Sequence, residues 1–170
     1  PNSINRYKEI RTDSWNLSVD DGSQDKSHTR AREHSAIVVR FHKNKGSGFA
    51  IQAGLKLVKN RCKHVVLLDG DGQHDARFIP RLIKELNDGS DMVIASRYIT
   101  DGSGGSTFMR KIGTTILSLG LYILYKKRIY DPTSGFRALS SKAVQALSSR
   151  YPTMFSEPET IVMAFDHRLV

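Results

Sequence analysis

The 170-residue sequence has a single cysteine, Cys62, and shows no internal repeat or low-complexity segment. One thiol excludes an internal disulfide and is consistent with a reducing compartment. The hydrophobic content of 39% and the charged content of 25% are ordinary values for globular proteins. We therefore expect a single domain over residues 1–170, and we expect it to be an excerpt of a slightly longer domain.

Acidic residues are also scarce, with 17 Asp and Glu against 26 Lys and Arg, which gives a net charge of +9. Such a balance favours anionic partners, including nucleotides and phospholipid surfaces. A nucleic-acid partner is not expected, because no basic stripe is interleaved with aromatics and no nucleic-acid-binding motif is present. The positive charge is concentrated between residues 106 and 130, at Arg110, Lys111, Lys126, Lys127 and Arg128.

A long apolar run is missing as well. Residues 112–128 are apolar almost all round after Ile116, but the run is shorter than the roughly 20 residues that span a bilayer. Two interpretations stay open. The segment is either a buried core helix, or a helix that lies on a membrane face with Lys126, Lys127 and Arg128 at the lipid headgroups.

Short β-branched runs alternate with segments whose apolar residues fall on one helical face. This alternation predicts an α/β domain with a mostly parallel sheet, in which ligands bind at the carboxyl ends of the strands. The predicted strands are residues 15–20, 36–41, 64–68 and 91–96, and the predicted helices are residues 48–59 and 78–87.

The segment "LLDGDGQHD" (residues 67–75) follows one of these strands. Asp69 and Asp71 can point at one hard cation such as Mg²⁺ or Mn²⁺, although a solvated turn that caps the next helix would have the same pattern. An EF-hand is excluded because His74 and Pro80 replace its glycine and glutamate. An aspartyl-phosphate phosphatase is excluded because Gln73 stands where a threonine is required.

Two further segments have the character of a nucleotide site. In "VDDGSQD" (residues 19–25), Asp20 or Asp21 could accept hydrogen bonds from a base or ribose, and Gly22 allows close backbone approach. In "NKGSGFAIQAG" (residues 44–54), a glycine-rich turn enters a helix whose N–H groups could face an anion. This segment is not a dinucleotide fingerprint, because Ile51 occupies the third glycine position.

These three segments are followed by "IASRY", "DPTSGFRALS" (residues 131–140) and "FSEPETIVMAF" (residues 155–165). In this order and at these intervals, the set resembles the family 2 glycosyltransferases of the GT-A fold. The branch it resembles most includes dolichyl-phosphate mannose synthase and the bacterial polyprenyl-phosphate sugar transferases. Compared with the family pattern, which opens with an apolar strand, the N-terminal strand of this sequence is expected to be incomplete.

The resemblance implies a donor site. Asp69 and Asp71, assisted by Gln73, would bind the Mg²⁺ or Mn²⁺ that bridges the donor diphosphate. The residues implied in nucleotide binding are Asp20, Asp21, Ser23, Asn44, Lys45 and Gly48.

The resemblance also implies an acceptor side and a mechanism. Arg97, Arg110, Ser134 and Arg137 match positions at the donor and acceptor phosphates, and Asp71 and Arg97 are implied in catalysis. The family inverts the anomeric carbon by direct displacement. A hydroxyl acceptor then needs a general base, for which Glu157 and Glu159 are candidates, whereas a phosphate acceptor needs little help.

The implied activity is metal-dependent transfer of a hexose from a UDP- or GDP-sugar to polyprenyl or dolichyl phosphate. It is expected in the cytoplasm, at the cytoplasmic face of a membrane. Three alternatives stay open: the same chemistry on a saccharide acceptor, a catalytically silent nucleotide-sugar-binding module, and a nucleotidyltransferase. The last lacks the expected glycine- and lysine-rich N-terminal signature.

Overall fold

The computed structural model describes residues 14–96 and 108–169, except for the side chains of residues 108–112. These residues form strands and helices in alternation along most of the chain, which confirms the predicted α/β class. The strands are β1 (Leu17–Asp20), β2 (Ile37–Arg40), β3 (His64–Leu67), β4 (Met92–Ile94) and β5 (Arg137–Ser140). The helices are α1 (Ser27–Glu33), α2 (Ser47–Val58), α3 (Ile79–Asn87), α4 (Phe108–Tyr125), α5 (Ser141–Leu147) and α6 (Ser156–Asp166).

Strands β1 and β2 pair in parallel, from Leu17 opposite Ile37 to Asp20 opposite Arg40. Both were predicted, β1 from a less apolar segment than β2. The structure starts β1 two residues later than predicted and shortens β2 by one residue at each end. Parallel pairing brings the carboxyl ends of the two strands to one edge. The acidic turn after β1 and the glycine-rich loop after β2 are therefore neighbours.

The second sheet has the order β3, β5, β4, with β5 antiparallel to both of its neighbours. Strands β3 and β4 consequently run in the same direction. The sequence pattern predicted β3 and β4 but not β5. The predicted parallel pairing is found between β1 and β2, whereas β5 pairs antiparallel with both β3 and β4. Arg137 stands opposite both Leu67 and Ile94, so the start of β5 lies beside the ends of β3 and β4.

Strand β5 is buried on both of its faces. Leu139 packs in one apolar cluster with Leu55 of α2 and Leu147 of α5. Ala138 belongs to a second cluster, with Leu82 of α3. Because successive residues of a strand point to opposite faces, β5 joins the two halves of the core and is held rigidly in place.

Helix α4 buries Leu121 but exposes much of its remaining apolar surface. This exposure is not what a buried core helix would show. Within residues 14–96 and 108–169, no helix is both long and apolar enough to cross a membrane. The exposed large apolar side chains of α4 are Ile116, Leu119, Tyr122, Ile123 and Leu124.

Candidate active site

A cavity of about 630 Å³ opens beside the carboxyl end of β3. Its wall combines the turn after β3, the first half of α4, the loop that leads into β5 and the start of α6. Several distant parts of the chain thus converge on one polar space. The lining residues are Asp69, Asp71, Gln73, His74, Gly113, Thr114, Thr133, Gly135 and Glu157.

The three predicted metal ligands, Asp69, Asp71 and Gln73, all line this cavity and all are exposed. The backbone N–H of Gln73 donates to Asp71 Oδ1 at 3.0 Å. Gly72 has a φ of +78°, a conformation that glycine adopts without strain. The turn therefore brings Asp69, Asp71 and Gln73 to one cavity.

The donor set fits a hard divalent cation. No group of three or more His, Cys, Asp or Glu side chains that could hold a metal occurs within the described part of the chain. Mg²⁺ does not require such a cage, because it is usually held by one or two carboxylates together with water and substrate phosphates. Asp69 and Asp71, with the Gln73 amide oxygen beside them, supply this partial set of oxygen ligands.

The loop before β5 forms the floor behind Asp69. A Cβ atom built on Gly135 would lie 2.8 Å from Asp69 Oδ2 and 3.4 Å from Asp69 Oδ1. No real side chain accepts so short a contact, so glycine is required for this approach. Gly135 is a site residue that the sequence reasoning passed over, although it stands between Ser134 and Arg137 in the quoted "TSGFR".

Ser134 of this loop and Arg137, the first residue of β5, are buried, at 0% and 1% exposure. The Arg137 guanidinium donates to Ser134 O at 2.8 Å and to Pro132 O at 3.1 Å, and the Ser134 hydroxyl accepts from the N–H of Phe136. Burial lowers the pKa of Arg137, while the negative charges of Glu157 and Asp69 oppose that shift. In this structure Arg137 supports the loop; its contact with an acceptor phosphate stays a prediction, as does that of Ser134.

Of the two candidate general bases, Glu157 and Glu159, one lies at the cavity and the other does not. Glu157 lines the cavity, and its Oε1 accepts a hydrogen bond from the Ser156 hydroxyl at 2.8 Å. Glu159 is exposed and is absent from the cavity wall. Two positions along a helix correspond to a rotation of about 200°, which explains why one glutamate faces the cavity and the other does not.

At the other acidic turn, Asp20 is buried and Asp21 is half-buried. Asp20 Oδ1 accepts the backbone N–H of Ser23 at 2.9 Å, and Arg40 Nε lies 3.1 Å from Asp20 Oδ2. Burial raises the pKa of Asp20, but the hydrogen bonds from Ser23 and the charge of Arg40 outweigh it, so the pKa is lowered overall. The Asp20 carboxylate is therefore charged and tied to the protein.

Asp21 links this turn to the glycine-rich loop. Its carboxylate accepts the backbone N–H groups of Lys45 at 2.8 Å and Gly46 at 2.7 Å. Gly22, with φ of +76°, packs so closely that a Cβ there would lie 2.8 Å from the Asn44 nitrogen. The predicted nucleotide-binding residues Asp20, Asp21, Ser23, Asn44 and Lys45 thus form one connected cluster, and their contact with a nucleotide stays a prediction.

Gly48 begins the helix side of the same loop. A Cβ on Gly48 would collide with Pro152 O and would lie 2.6 Å from Thr153 Cα. Its observed role is to let α2 approach the segment that leads into α6. Its predicted part in nucleotide binding is not tested by this contact.

Two predicted basic residues cannot be placed. Arg97 lies outside the described residues, and Arg110 belongs to α4 but its side chain is outside the described part. Their assignment to the donor and acceptor phosphates therefore stays a prediction.

With this geometry established, comparison with known proteins gives the class. The profile of Glycosyl transferase family 2 matches residues 14–148, and the chain belongs to this family. It is 37% identical over 136 residues to dolichol-phosphate mannosyltransferase of Pyrococcus furiosus, which covers 76% of the chain and 38% of that protein. It is 31% identical over 159 residues to an uncharacterised protein of Methanocaldococcus jannaschii, covering 89% of the chain and 64% of that protein.

The fold is shared with glucosyl-3-phosphoglycerate synthase of Mycobacterium tuberculosis. Its complex with phosphoglyceric acid superposes with a TM-score of 0.74 at 21% identity, covering 98% of this chain and 60% of that one. Another structure of the same enzyme contains Mn²⁺, UDP-glucose and phosphoglyceric acid, with a TM-score of 0.67 at 23% identity over 90% of this chain and 54% of that one. These likenesses confirm the predicted GT-A-type fold. The chain spans 64% and 38% of the two sequence relatives.

Proposed function

We propose that this chain is the catalytic domain of an inverting, metal-dependent glycosyltransferase. It would move a hexose from a UDP- or GDP-sugar to polyprenyl or dolichyl phosphate. The observation that supports this most is the convergence of Asp69, Asp71 and Gln73 with Glu157 on one cavity of about 630 Å³. The relationship to a dolichol-phosphate mannosyltransferase supports the choice of a lipid-linked phosphate as acceptor.

Asp69, Asp71 and Gln73 would hold Mg²⁺ or Mn²⁺ through their side-chain oxygens. When bound, the cation would neutralise the negative charge of the nucleoside diphosphate as it leaves. The presence of Mn²⁺ and UDP-glucose in a structure of a fold relative is consistent with this assignment. The cluster of Asp20, Asp21, Ser23, Asn44 and Lys45, with Gly48 behind it, would receive the nucleoside.

In the proposed reaction the acceptor oxygen attacks the anomeric carbon from the face opposite the diphosphate. The bond from that carbon to the diphosphate oxygen breaks, and its electron pair leaves with the nucleoside diphosphate. A phosphate acceptor is anionic near neutral pH and needs no general base. Glu157 would then orient the acceptor, while Arg97 and Arg110 would contact phosphate groups, since guanidinium groups bind phosphate in bidentate fashion.

A saccharide acceptor would use the same cavity differently. A sugar hydroxyl must lose its proton as it attacks, and Glu157 is the cavity-lining carboxylate available outside the proposed metal pair. This acceptor class is the second candidate.

The exposed apolar face of α4 supports a peripheral contact with the cytoplasmic face of a membrane. Ile116, Leu119, Ile123 and Leu124 are 57–73% exposed, and the basic run of residues 126–128 follows directly. Apolar side chains beside clustered positive charge suit a surface of anionic lipid. Such a contact would bring a lipid-linked phosphate to the cavity that Gly113 and Thr114 of the same helix line.

The experiment uses the full-length protein with radiolabelled UDP- and GDP-sugars, Mn²⁺, and either polyprenyl phosphate or an oligosaccharide. Transfer to the lipid is expected, and Asp71→Asn is expected to lower kcat/KM by about 100-fold or more, because a metal ion contributes several kcal/mol to charge stabilisation. Transfer that survives in Asp71→Asn would refute the metal assignment. Transfer to the oligosaccharide alone would select the second candidate, and nucleotide binding without transfer would identify a silent binding module.

A further inference from the structure

His74 is half-buried beside the proposed metal site, with little of its side chain exposed. Its side chain is 8% exposed, whereas that of Asp69 is 57% exposed. The imidazole stacks on the Phe136 ring with a centroid distance of 5.1 Å and an interplanar angle of 20°. Because Phe136 precedes β5, whose position is fixed by two sheet neighbours, the imidazole ring is held on a rigid support.

Both ring nitrogens of His74 face Asp69. Nδ1 accepts the backbone N–H of Asp69 at 3.2 Å, and Nε2 lies 3.7 Å from Asp69 Oδ2. In a neutral imidazole one nitrogen accepts and the other carries the proton, so acceptance at Nδ1 assigns the proton to Nε2. The separation of 3.7 Å between Nε2 and Asp69 Oδ2 is too long for a hydrogen bond, but it places the proton-bearing nitrogen beside the carboxylate.

Gly135 also lies close to this carboxylate, since a Cβ there would be 2.8 Å from Asp69 Oδ2. Asp69 follows the end of β3 by two residues, and its N–H donates to the His74 imidazole. One residue therefore binds the Asp69 backbone and also lies beside the Asp69 carboxylate.

We propose that His74 is a positioning residue that holds the metal-binding carboxylate of Asp69 in place. The inference rests on the proposed function only in taking Asp69 as a metal ligand. Groups that orient a metal ligand without touching the metal contribute strongly to affinity, and their removal typically costs about 10- to 100-fold. His74 meets this description through its two contacts with Asp69 and its fixed position on Phe136.

Two variants distinguish the contribution of the His74 ring nitrogens from that of ring stacking on Phe136. His74→Phe keeps an aromatic ring to stack on Phe136 but removes both nitrogens. His74→Asn retains an acceptor that can reach the Asp69 N–H but has no group in place of Nε2. Asp75→Asn is the neighbouring control, because Asp75 caps the next turn by accepting from Arg77 N.

The measurement is titration with Mn²⁺, alone and with UDP or GDP, in which the electron paramagnetic resonance signal of free Mn²⁺ reports the unbound ion. We expect Mn²⁺ affinity to fall about 10- to 100-fold in His74→Phe, to fall less in His74→Asn, and to stay at the wild-type value in Asp75→Asn. Thermal unfolding shows which variants are folded, and if His74→Phe is not, His74→Asn carries the test. A folded His74 variant with wild-type Mn²⁺ affinity would overturn the positioning role while leaving the metal site intact. Absence of Mn²⁺ binding in the wild-type protein would overturn both this inference and the proposed metal site.

Discussion

Gly135 shows how a single residue without a side chain can determine the geometry of a carboxylate. Asp69 Oδ2 occupies the space that a Cβ at position 135 would need. Burying an additional methyl group in a packed region costs about 1–3 kcal/mol unless a neighbour moves. At the rim of an open cavity the neighbour that can move is the Asp69 side chain.

Gly135→Ala is therefore expected to displace the Asp69 carboxylate and to weaken Mn²⁺ binding by about tenfold, as for other groups that orient a metal ligand. Isothermal titration calorimetry with Mn²⁺ measures the change. Gly113→Ala is the matched control, since Gly113 also lines the cavity but a Cβ there meets nothing within 4 Å. Equal Mn²⁺ affinity in the two alanine variants would contradict the steric argument.

Among single residues, the sequence predicts those site residues that lie close together in the chain. Asp69 and Asp71 were proposed from one short turn after an apolar strand, and Gln73 from the family resemblance. All three line the cavity, while their role as metal ligands stays a prediction. Gly135 could not be identified, because its partner Asp69 is 66 positions away (135 − 69) and only the tertiary fold brings them together. The burial of Arg137 was also out of reach, since arginine is almost never fully buried without partners.

Among the elements, α6 distinguishes two glutamates that the sequence treated alike. Both lie in the first turn of the helix. Only Glu157 lines the cavity, where the Ser156 hydroxyl donates to it, and Glu159 points to solvent. We therefore assign the proposed role at the acceptor to Glu157 and not to Glu159.

Glu157→Gln is expected to reduce transfer to a sugar hydroxyl by about 100-fold or more, the usual contribution of a general base, and to reduce transfer to a phosphate acceptor by less. Glu159→Gln is expected to retain wild-type kcat/KM with either acceptor. Steady-state assays of both variants with both acceptors provide the comparison. A larger loss in Glu159→Gln than in Glu157→Gln would show that the acceptor approaches from another side.

Strands β2 to β4 could be predicted because short β-branched runs are typical of buried strands, and β1 was predicted from a less apolar segment before them. Strand β5 could not, because its four residues, "RALS", carry no such run and begin with a charge. Its burial is imposed by β3 and β4 on its edges and by the two apolar clusters on its faces. The antiparallel insertion is consequently a property of the tertiary structure.

On the scale of the whole molecule, the net charge of +9 and the exposed apolar face of α4 both favour the proposed membrane contact. The basic run after α4 is held by aromatic neighbours, with Lys127 Nζ 5.8 Å from the Phe165 ring centroid and Arg128 4.9 Å from that of Tyr130. Positive charge is therefore kept beside the apolar surface, as a lipid interface requires.

The protein is expected to sediment with vesicles that contain anionic phosphatidylglycerol and to bind pure phosphatidylcholine vesicles less. The double variant Lys126→Ala/Lys127→Ala should weaken this binding by about 30-fold, since each basic residue near such a surface contributes about 1 kcal/mol. Lys56→Ala/Lys59→Ala removes the same charge from two exposed residues, Lys56 in the last turn of α2 and Lys59 directly after it, and should have a smaller effect. Equal losses in the two double variants would indicate a general charge effect and refute a specific face.

The place of β5 between β3 and β4 also has a consequence for the order of folding. Leu67 pairs with Arg137, 70 positions later in the chain (137 − 67), so the floor behind Asp69 is closed only after a long loop has been brought together. Contacts of this separation form at a large cost in chain entropy and are slow to appear. During synthesis the acidic turn leaves the ribosome well before its supporting loop does. The proposed capacity to bind a cation should therefore appear late in folding, after β5 has paired with β3 and β4.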